Sequence, residues 1–371
     1  DQLISSPLDN IAHWEDAFTI HILPLLNPDG AQRCIRQNAQ SIDINRDARD
    51  LQTLEGQLLM SLVEQLKPNI GFNLHDQSPY YKCGTTNNPA TIAFLAPAFD
   101  YTKTIDAARE KAMILIAHMN LTIQAHIPKC VARYDDTYSP RSFGDNIAAK
   151  NVSTILIESG AARNDDNRQI ARRMNVVAMT AALEYLMASD GNSNSNLAQE
   201  AKMSQASVAA YFAIPENVSE TLSSLVVRNI SFVGEHAYKI GLSIKQTARY
   251  SNEFLIDFTG DLNLQAGLQE FDANGLVYKR GEVYTPTAPI TLNNESYKAL
   301  LQQGFVYIND PQGYVTNASD FGICYSSEAL HKENAFVLHA PAYCLFVSNE
   351  QPEKVTHALL NGSMLMVSNS A

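Results

Sequence analysis

The sequence lacks several features that define large classes of protein. Its five cysteines are an odd number and show no CxxC spacing, which is typical of neither a disulfide framework nor a thiolate zinc site. No apolar run approaches the ~20 residues needed to cross a bilayer, so we expect no membrane span. The net charge of −12 argues against nucleic acid or an anionic membrane as a partner, because both attract clustered Lys and Arg.

The start of the chain also lacks the features of a secretion signal. Asp1, Gln2 and Leu3 supply neither a basic region nor an apolar one, and both are needed in a signal peptide. No initiating methionine is present, which predicts that the chain is the remainder of a longer product. The cellular location therefore stays open. In an exported protein Cys324 and Cys344 could pair, although core or surface thiols fit the scattered spacing better.

The first half of the chain has the pattern of an α/β domain. Apolar runs predict buried strands at 18–26, 69–74 and 152–157. Apolar residues at helical spacing predict helices after the cap Thr53 and over 102–123 and 165–187. In the first of these helices, the residues predicted to face inward are Leu54, Leu58, Leu59, Leu62, Val63 and Leu66. Strands that alternate with helices predict a mixed central sheet flanked by helices.

The second half has a different pattern. Residues 190–196 are polar and suit a linker, and a helix is predicted over 197–213. Short β-type runs separated by turn residues then continue to the end of the chain, as in strand-rich domains. We therefore predict a domain at 1–189, a linker at 190–196, and at 197–371 a helix followed by a β-rich accessory domain, either a sandwich or a barrel.

Polar residues that suit a binding site follow the first predicted strand. Asn27-Pro28-Asp29-Gly30 is by itself a good β-turn, with Pro fixing φ and Gly tolerating positive φ. Arg36 and Arg46 follow it, beside Asn38 and Asn45. An arginine fork suits a carboxylate or an oxyanion, and asparagine adds a donor. The alternative is a solvated loop whose internal ion-pair partners are Asp43, Asp47 and Asp50.

Two further residues lie at the ends of apolar runs. His75 can present a neutral imidazole to zinc, oriented by Asp76, although a lone histidine there is often structural. Glu158 ends the run 154–157, where an acid is costly to bury unless it is paired or functional. A glutamate in this position can deprotonate a metal-bound water and later protonate a leaving amine. The alternative is a salt bridge to Arg163 or Arg141.

A polar, aromatic stretch lies between these two residues. Residues 134–145 are too polar for a core element and predict an ordered loop over a site. The alternative is a surface loop held by Asp–Arg pairs. The loop contains two tyrosines, Tyr134 and Tyr138, that can approach a ligand.

Together these segments resemble the zinc carboxypeptidase family, which is typified by carboxypeptidase A, and are most similar to its bacterial branch. The resemblance covers 18–187, about half of the chain. The ordered set that carries it is Asn27-Pro28-Asp29-Gly30, Arg36-Gln37-Asn38, Asp43-Ile44-Asn45-Arg46, Asn73-Leu74-His75-Asp76 and Ile157-Glu158-Ser159-Gly160. It implies a mixed sheet with helices on both sides and a zinc ion at the carboxyl ends of the strands.

The resemblance also implies roles for individual residues. His75 would be the third zinc ligand and Glu158 the general base that activates the zinc-bound water. Arg36 would polarise the scissile carbonyl and stabilise the oxyanion. Asn45 and Arg46 would bind the terminal carboxylate of the substrate. A tyrosine that closes on the substrate would be Tyr138, with Tyr134 as the alternative.

The sequence departs from the family in one respect. The family takes its first two zinc ligands from a His-x-x-Glu motif upstream of the Asn-Pro-Asp-Gly turn, and this chain contains no such motif. His13-Trp14-Glu15 has the wrong spacing. We expect an N-terminally truncated copy rather than a lost metal site.

These observations lead to two hypotheses about function. The first is a zinc-dependent metallocarboxypeptidase acting on peptides with a free C-terminal carboxylate, or a related amidase acting on cell-wall peptides. The second is a non-catalytic protein that binds peptides on a degenerate peptidase fold. The gene sequence upstream of Asp1 distinguishes them, because a His-x-x-Glu encoded there favours the enzyme.

Overall fold

The computed structural model describes residues 14–190, 197–219, 222–234, 236–248, 251–317, 321–322, 324–325 and 336–368. The helices are α1 (Trp14–Ala17), α2 (Pro28–Arg33), α3 (Leu54–Leu66), α4 (Ala107–Gln124), α5 (Phe143–Ala148), α6 (Gln169–Asp190), α7 (Leu197–Phe212) and α8 (Asn294–Gln302), with a 3-10 turn at Ile44–Arg46. The strands are β1 (Ile70–Asp76), β2 (Lys82–Cys83), β3 (Ile92–Leu95), β4 (Val131–Arg133), β5 (Ser153–Ser159), β6 (Asn217–Val218), β7 (Leu222–Phe232), β8 (Tyr238–Gln246), β9 (Phe254–Gly260), β10 (Ala266–Asp272), β11 (Leu276–Lys279), β12 (Glu282–Tyr284), β13 (Ile290–Thr291), β14 (Phe305–Ile308), β15 (Val315–Thr316), β16 (Cys324–Tyr325), β17 (Tyr343–Ser348), β18 (Val355–Leu360) and β19 (Ser363–Met366).

The chain forms two compact units. The described residues up to 77, together with 90–160 and 169–217, belong to the first unit, and the remainder belong to the second. The predicted division groups α7 with the second domain, whereas Tyr211 of α7 is fully buried in the core of the first unit. The predicted linker at 190–196 falls almost entirely outside the described residues.

The first unit is built on a four-stranded mixed sheet with the order β1-β5-β3-β4. β1 runs parallel to β5, β3 runs antiparallel to β5, and β4 runs parallel to β3. One face of the sheet packs against the long helices, and Ile155 and Ile157 of β5 are fully buried there. The short helix α5 covers the other face, where Gly144 lies against Asn73 of β1. The predicted fold class, a mixed sheet flanked by helices, is confirmed.

The predicted buried strand at 18–26 is wrong. These residues form no regular secondary structure, and Ile22 and Leu25 are 63% and 56% exposed. An apolar run becomes a strand only when a neighbouring strand supplies its hydrogen bonds and a second layer covers it. None of the described strands pairs with this segment.

The helix predicted after Thr53 is present, but only part of its predicted inward face is buried: Val63 is buried, whereas Leu58 and Leu66 are exposed. The Thr53 hydroxyl accepts a hydrogen bond from the Gly56 amide at 3.1 Å, which is the usual contact of an N-cap residue. The side chains turned toward the interior are those of Met60 and Val63, while Leu54 is 79% exposed. The small Gly56 favours this orientation, because it allows the phenyl ring of Phe143 to approach the helix closely.

The other two predicted helices of this unit are close to their predicted positions. α4 begins five residues later than predicted, at Ala107, because Asp106 caps it by accepting a hydrogen bond from the Arg109 amide at 2.8 Å. Ala112, Leu115 and Met119 of this helix are fully buried. α6 begins at Gln169 rather than at 165.

The second unit is rich in β-strands, as predicted. Its main sheet has the order β19-β18-β17-β11-β7-β8-β9, with β10 paired to β7. Two apolar clusters form its interior. The apolar residues 336–338 form no strand. Cys344 is a buried free thiol rather than half of a disulfide. None of the described helices is both long and apolar enough to cross a membrane.

Candidate functional site

The first unit brings His75 and Glu158 together at one edge of its sheet. The two residues are direct partners on the parallel strands β1 and β5. Paired residues of neighbouring strands project their side chains to the same face of a sheet. Both side chains therefore leave the carboxyl ends of their strands on the face that α5 covers. Both residues are half-buried.

Two arginines from the preceding loop act on His75. The pKa of His75 is lowered from its ordinary value by burial first and then by the positive charges of Arg36 and Arg46. Asp43 and Asp76 oppose this effect more weakly. His75 therefore carries a neutral imidazole near pH 7. Residues of the loop at 36–46, of β1 and of β5 therefore lie near one another in one site.

Arg36 is held in place by an acid of its own loop. Its Nε lies 2.6 Å from Oδ2 of Asp43, and Oδ1 of Asp43 accepts a hydrogen bond from the Asn45 amide at 3.0 Å. The interpretation as an internal ion pair is therefore correct for Arg36. Within the described part of the chain, the two terminal nitrogens of its guanidinium group form no hydrogen bond. They can bind a ligand while Nε stays fixed.

Asn45 and Arg46 have different surroundings. The side-chain oxygen of Asn45 accepts a hydrogen bond from the Phe143 amide at 2.9 Å, so it fixes the start of α5. Only the Nδ2 donor of Asn45 is left for a ligand. Arg46 is exposed and donates to the Asn45 carbonyl at 2.7 Å and to Oγ of Ser142 at 3.3 Å. It forms no ion pair with any described carboxylate.

Other polar residues of this loop are structural. Asn38 is completely buried; its side-chain oxygen accepts from the amides of Gln40 and Ile42, both at 3.1 Å. Oδ2 of Asp47 accepts from both the amide and the hydroxyl of Thr53 at 2.7 Å. These bonds satisfy the backbone of the loop and hold the segment that carries the two site arginines.

The two arginines considered as salt-bridge partners of Glu158 have other contacts. Arg141 donates through Nε to the Arg46 carbonyl at 3.0 Å. Arg163 belongs to the second unit, where it pairs with Glu270 at 3.5 Å. The role of Glu158 as a general base stays a prediction.

The first part of the loop at 134–145 is anchored by contacts with other segments. The Tyr134 amide donates to the Phe94 carbonyl of β3 at 2.8 Å. Asp136 is held by Lys103 at 2.5 Å and by the buried Arg109 at 3.1 Å. The Tyr138 ring packs edge-on against Tyr101, with 4.9 Å between the ring centroids. The choice of Tyr138 over Tyr134 as the residue that closes on substrate stays a prediction.

Asp145 is a titratable residue of this region to which the sequence analysis assigned no role. Its Oδ1 accepts a hydrogen bond from the Ser139 amide at 2.9 Å. Burial raises its pKa to about 6, against the partial opposition of that hydrogen bond and of the charges on Arg46 and Arg109. The available signal was the spacing Ser142-x-x-Asp145, which is similar to a capping box. Ser142 forms no side-chain cap bond, and the aspartate binds Ser139 instead.

We expect Asp145→Asn to stabilise the protein at neutral pH. The pKa of Asp145 in the folded protein, about 6, is higher than its ordinary value of 3.8. The protonated carboxyl therefore stabilises the folded protein fully below pH 3.8, and this contribution is lost as the pH rises through 6. The amide stays neutral and can still accept from Ser139. The gain above pH 7 should be about 1–2 kcal/mol, after allowance for solvent around this half-buried group.

Thermal unfolding at about pH 7.5 and about pH 4, on either side of this titration, measures the effect. Asp145→Asn should raise Tm at the higher pH and leave it nearly unchanged at the lower. The matched control is the exposed Asp50→Asn, which should show no such difference. An equal effect of Asp145→Asn at the two pH values would contradict the assignment.

Within the described part of the chain, His75 has too few neighbouring ligands to form a zinc site. The neutral imidazole of His75 suits a metal, and a catalytic zinc ordinarily has three protein ligands. No group of three or more His, Cys, Asp or Glu side chains that could hold a metal is present among the residues that the structure describes. The implied zinc site therefore does not fit these residues alone.

We expect the chain to bind zinc weakly. A single imidazole cannot supply a closed or catalytic coordination set. Metal analysis after dialysis should find well under one zinc per chain. Tightly bound zinc at one per chain would show that further ligands exist outside the described residues.

Comparison with known proteins adds little to these observations. No protein-family model matches the chain, and no curated protein matches it. One similar solved structure is the succinylglutamatedesuccinylase/aspartoacylase from Rhodobacter sphaeroides, at 15% identity and a TM-score of 0.28. The match covers 42% of this chain and 43% of that chain, so it spans less than half of either protein. A likeness this distant carries no argument about activity.

Proposed function

We propose that this protein is a hydrolase that cleaves the C-terminal peptide bond of a peptide with a free carboxylate. The observation that carries the proposal is the pairing of His75 with Glu158 at the strand ends, within the electrostatic influence of Arg36 and Arg46. An acid beside a neutral imidazole and two cations can bind an anionic end and move a proton in the same site.

The proposal gives each of these residues a role. Glu158 takes a proton from the attacking water and returns it to the leaving amine. The terminal nitrogens of Arg36 hold the carbonyl oxygen as it becomes negative. Arg46, with the Nδ2 donor of Asn45, binds the terminal carboxylate, and Tyr138 closes over the substrate. The described residues supply one imidazole and no complete zinc site, so the proposal assigns no step to a metal.

A second candidate function is peptide binding without catalysis. It is favoured by the arginines themselves, because the terminal nitrogens of Arg36 and the side chain of Arg46 keep donors for an anion, and binding needs nothing further. The same surface would serve an amidase acting on cell-wall peptides. The binding protein and the two hydrolases differ in whether a bond is broken.

The test uses acylated dipeptides that differ only in a free or an amidated C-terminus. Release of the terminal amino acid is followed by mass spectrometry, and binding is followed by calorimetry on the same preparation. Hydrolysis of the free acid alone supports the carboxypeptidase. Saturable binding of the free acid without hydrolysis supports the binding protein. Cleavage of both forms at equal rates contradicts carboxylate recognition and favours an amidase or an endopeptidase.

A further inference from the structure

A cavity lies in the first unit at the opposite ends of the strands that carry the candidate site. It has a volume of about 680 Å³ and is lined in part by Asn69, just before β1, and by Ser153, the first residue of β5. His75 and Glu158 are at the carboxyl ends of these strands. The cavity is therefore separate from the candidate hydrolytic site.

Three lysines from three different segments line this cavity. Lys67 directly follows α3, Lys111 lies on the second turn of α4, and Lys150 precedes β5. The only lining carboxylate is Glu64, whose Oε1 lies 2.9 Å from Nζ of Lys150. Lys67 and Lys111 form no ion pair with any described residue. The lining thus contains three exposed lysines and one carboxylate, on a protein whose net charge is −12.

The helix ends at this cavity do not account for its charge. The C-terminal end of α3 and the N-terminal end of α4 both contribute to the lining, and the dipoles of these two ends have opposite signs. The lysines therefore determine the local field. A concentration of one sign of charge in a concave site raises the local concentration of ions of opposite charge.

Four buried residues form the floor of the cavity; three of them are apolar and the fourth is Ser153. Val63, Ala108 and Val152 are buried lining residues, and Pro68 lies beside them. A site of this size with a mostly apolar floor and charged groups around it is suited to a small organic molecule rather than to a bare ion.

We propose that this cavity binds a phosphorylated small molecule. Lysine binds phosphate as a point charge, whereas arginine offers the planar fork that matches a carboxylate. The cavity has lysines and no arginine among its lining residues, whereas the candidate hydrolytic site contains Arg36 and Arg46. The long, flexible lysine side chains would supply the positive charge that a phosphate dianion requires, and the apolar lining residues would contact the organic part.

Calorimetry at low ionic strength with inorganic pyrophosphate as the probe tests the charge requirement. Lys67→Gln, Lys111→Gln and Lys150→Gln should each weaken binding by about two- to fivefold, the range for charges at an exposed rim. The triple variant should lose measurable binding. Glu64→Gln should tighten binding, because it removes the opposing charge and releases Lys150. Added salt should weaken binding in the parent protein.

Three controls make the outcome decisive. Lys129→Gln, an exposed lysine outside the cavity, should leave binding unchanged; an equal loss there would show nonspecific attraction and overturn the proposal. Arg46→Ala should also leave binding unchanged, since a loss would place the probe in the other site. Citrate has a similar charge but only carboxylates, and binding as tight as that of pyrophosphate would overturn the assignment to phosphate.

Discussion

Glu158→Gln is expected to lower the rate of peptide hydrolysis by about 10²- to 10⁴-fold, the range for loss of a general acid–base group. The amide has nearly the same size and can still accept a hydrogen bond, but it cannot take a proton from water. Because the same carboxylate is proposed to serve both proton transfers, the loss should lie toward the upper end of this range. The rate is measured with a free-acid dipeptide as substrate.

Two comparisons distinguish a loss of proton transfer in Glu158→Gln from a change in structure or charge. The exposed Glu184→Gln on α6 should retain the parent rate, which excludes a general effect of lost charge. Binding of the uncleaved free-acid peptide should be almost unchanged in Glu158→Gln, since the proposal assigns the terminal carboxylate to Arg46. A Glu158→Gln variant with a near-parent rate would leave Glu158 without a role in proton transfer and would favour the non-catalytic hypothesis.

The central features of the fold were predictable from local sequence. Strand ends were visible as apolar runs that stop at a charged residue, as at Ile157-Glu158. Carboxyl ends of neighbouring parallel strands meet at one edge of a sheet, so the proximity of His75 and Glu158 followed once β1 and β5 were adjacent. Helix starts were predictable where a side-chain cap such as Thr53 is encoded a few residues away.

Features set by distant contacts were not predictable. The side-chain oxygen of Asn45 accepts a hydrogen bond from the first residue of a helix that begins 98 positions later in the chain, a contact that local sequence does not indicate. The apolar run at 18–26 carries the local pattern of a strand, and no described strand pairs with it. The raised pKa of Asp145 depends on burial by segments remote in sequence. Periodicity reports how a segment can fold, whereas its partners determine whether it does so.

Arg46→Ala is expected to reduce kcat/KM for a free-acid peptide by about 10- to 100-fold, since a hydrogen bond to a charged group contributes ~1.5–3 kcal/mol. Arg46 has no carboxylate partner among the described residues, so a substrate carboxylate gains a charge-assisted and potentially bidentate contact without breaking an existing ion pair. The amidated peptide cannot form that contact, and the parent protein should hydrolyse it at a rate reduced by a similar factor.

Combining Arg46→Ala with amidation of the peptide distinguishes recognition of the terminal carboxylate from a structural effect of the mutation. Arg46 also donates to Ser142, so its loss could disturb the start of α5; such a disturbance would slow hydrolysis of both peptides equally. If Arg46 binds the carboxylate, Arg46→Ala should hardly change kcat/KM for the amidated peptide. Most of the loss in kcat/KM for the free-acid peptide should then appear as a coupling energy between the mutation and the amidation. Arg46→Lys, which keeps the charge without the fork, should restore activity only in part.

Arg49→Ala, an exposed arginine of the same loop, is the matched control and should leave both rates unchanged. Equal rates for the two peptides in the parent protein would show that Arg46 does not read a terminal carboxylate, because the contact that amidation removes would then contribute nothing to the transition state.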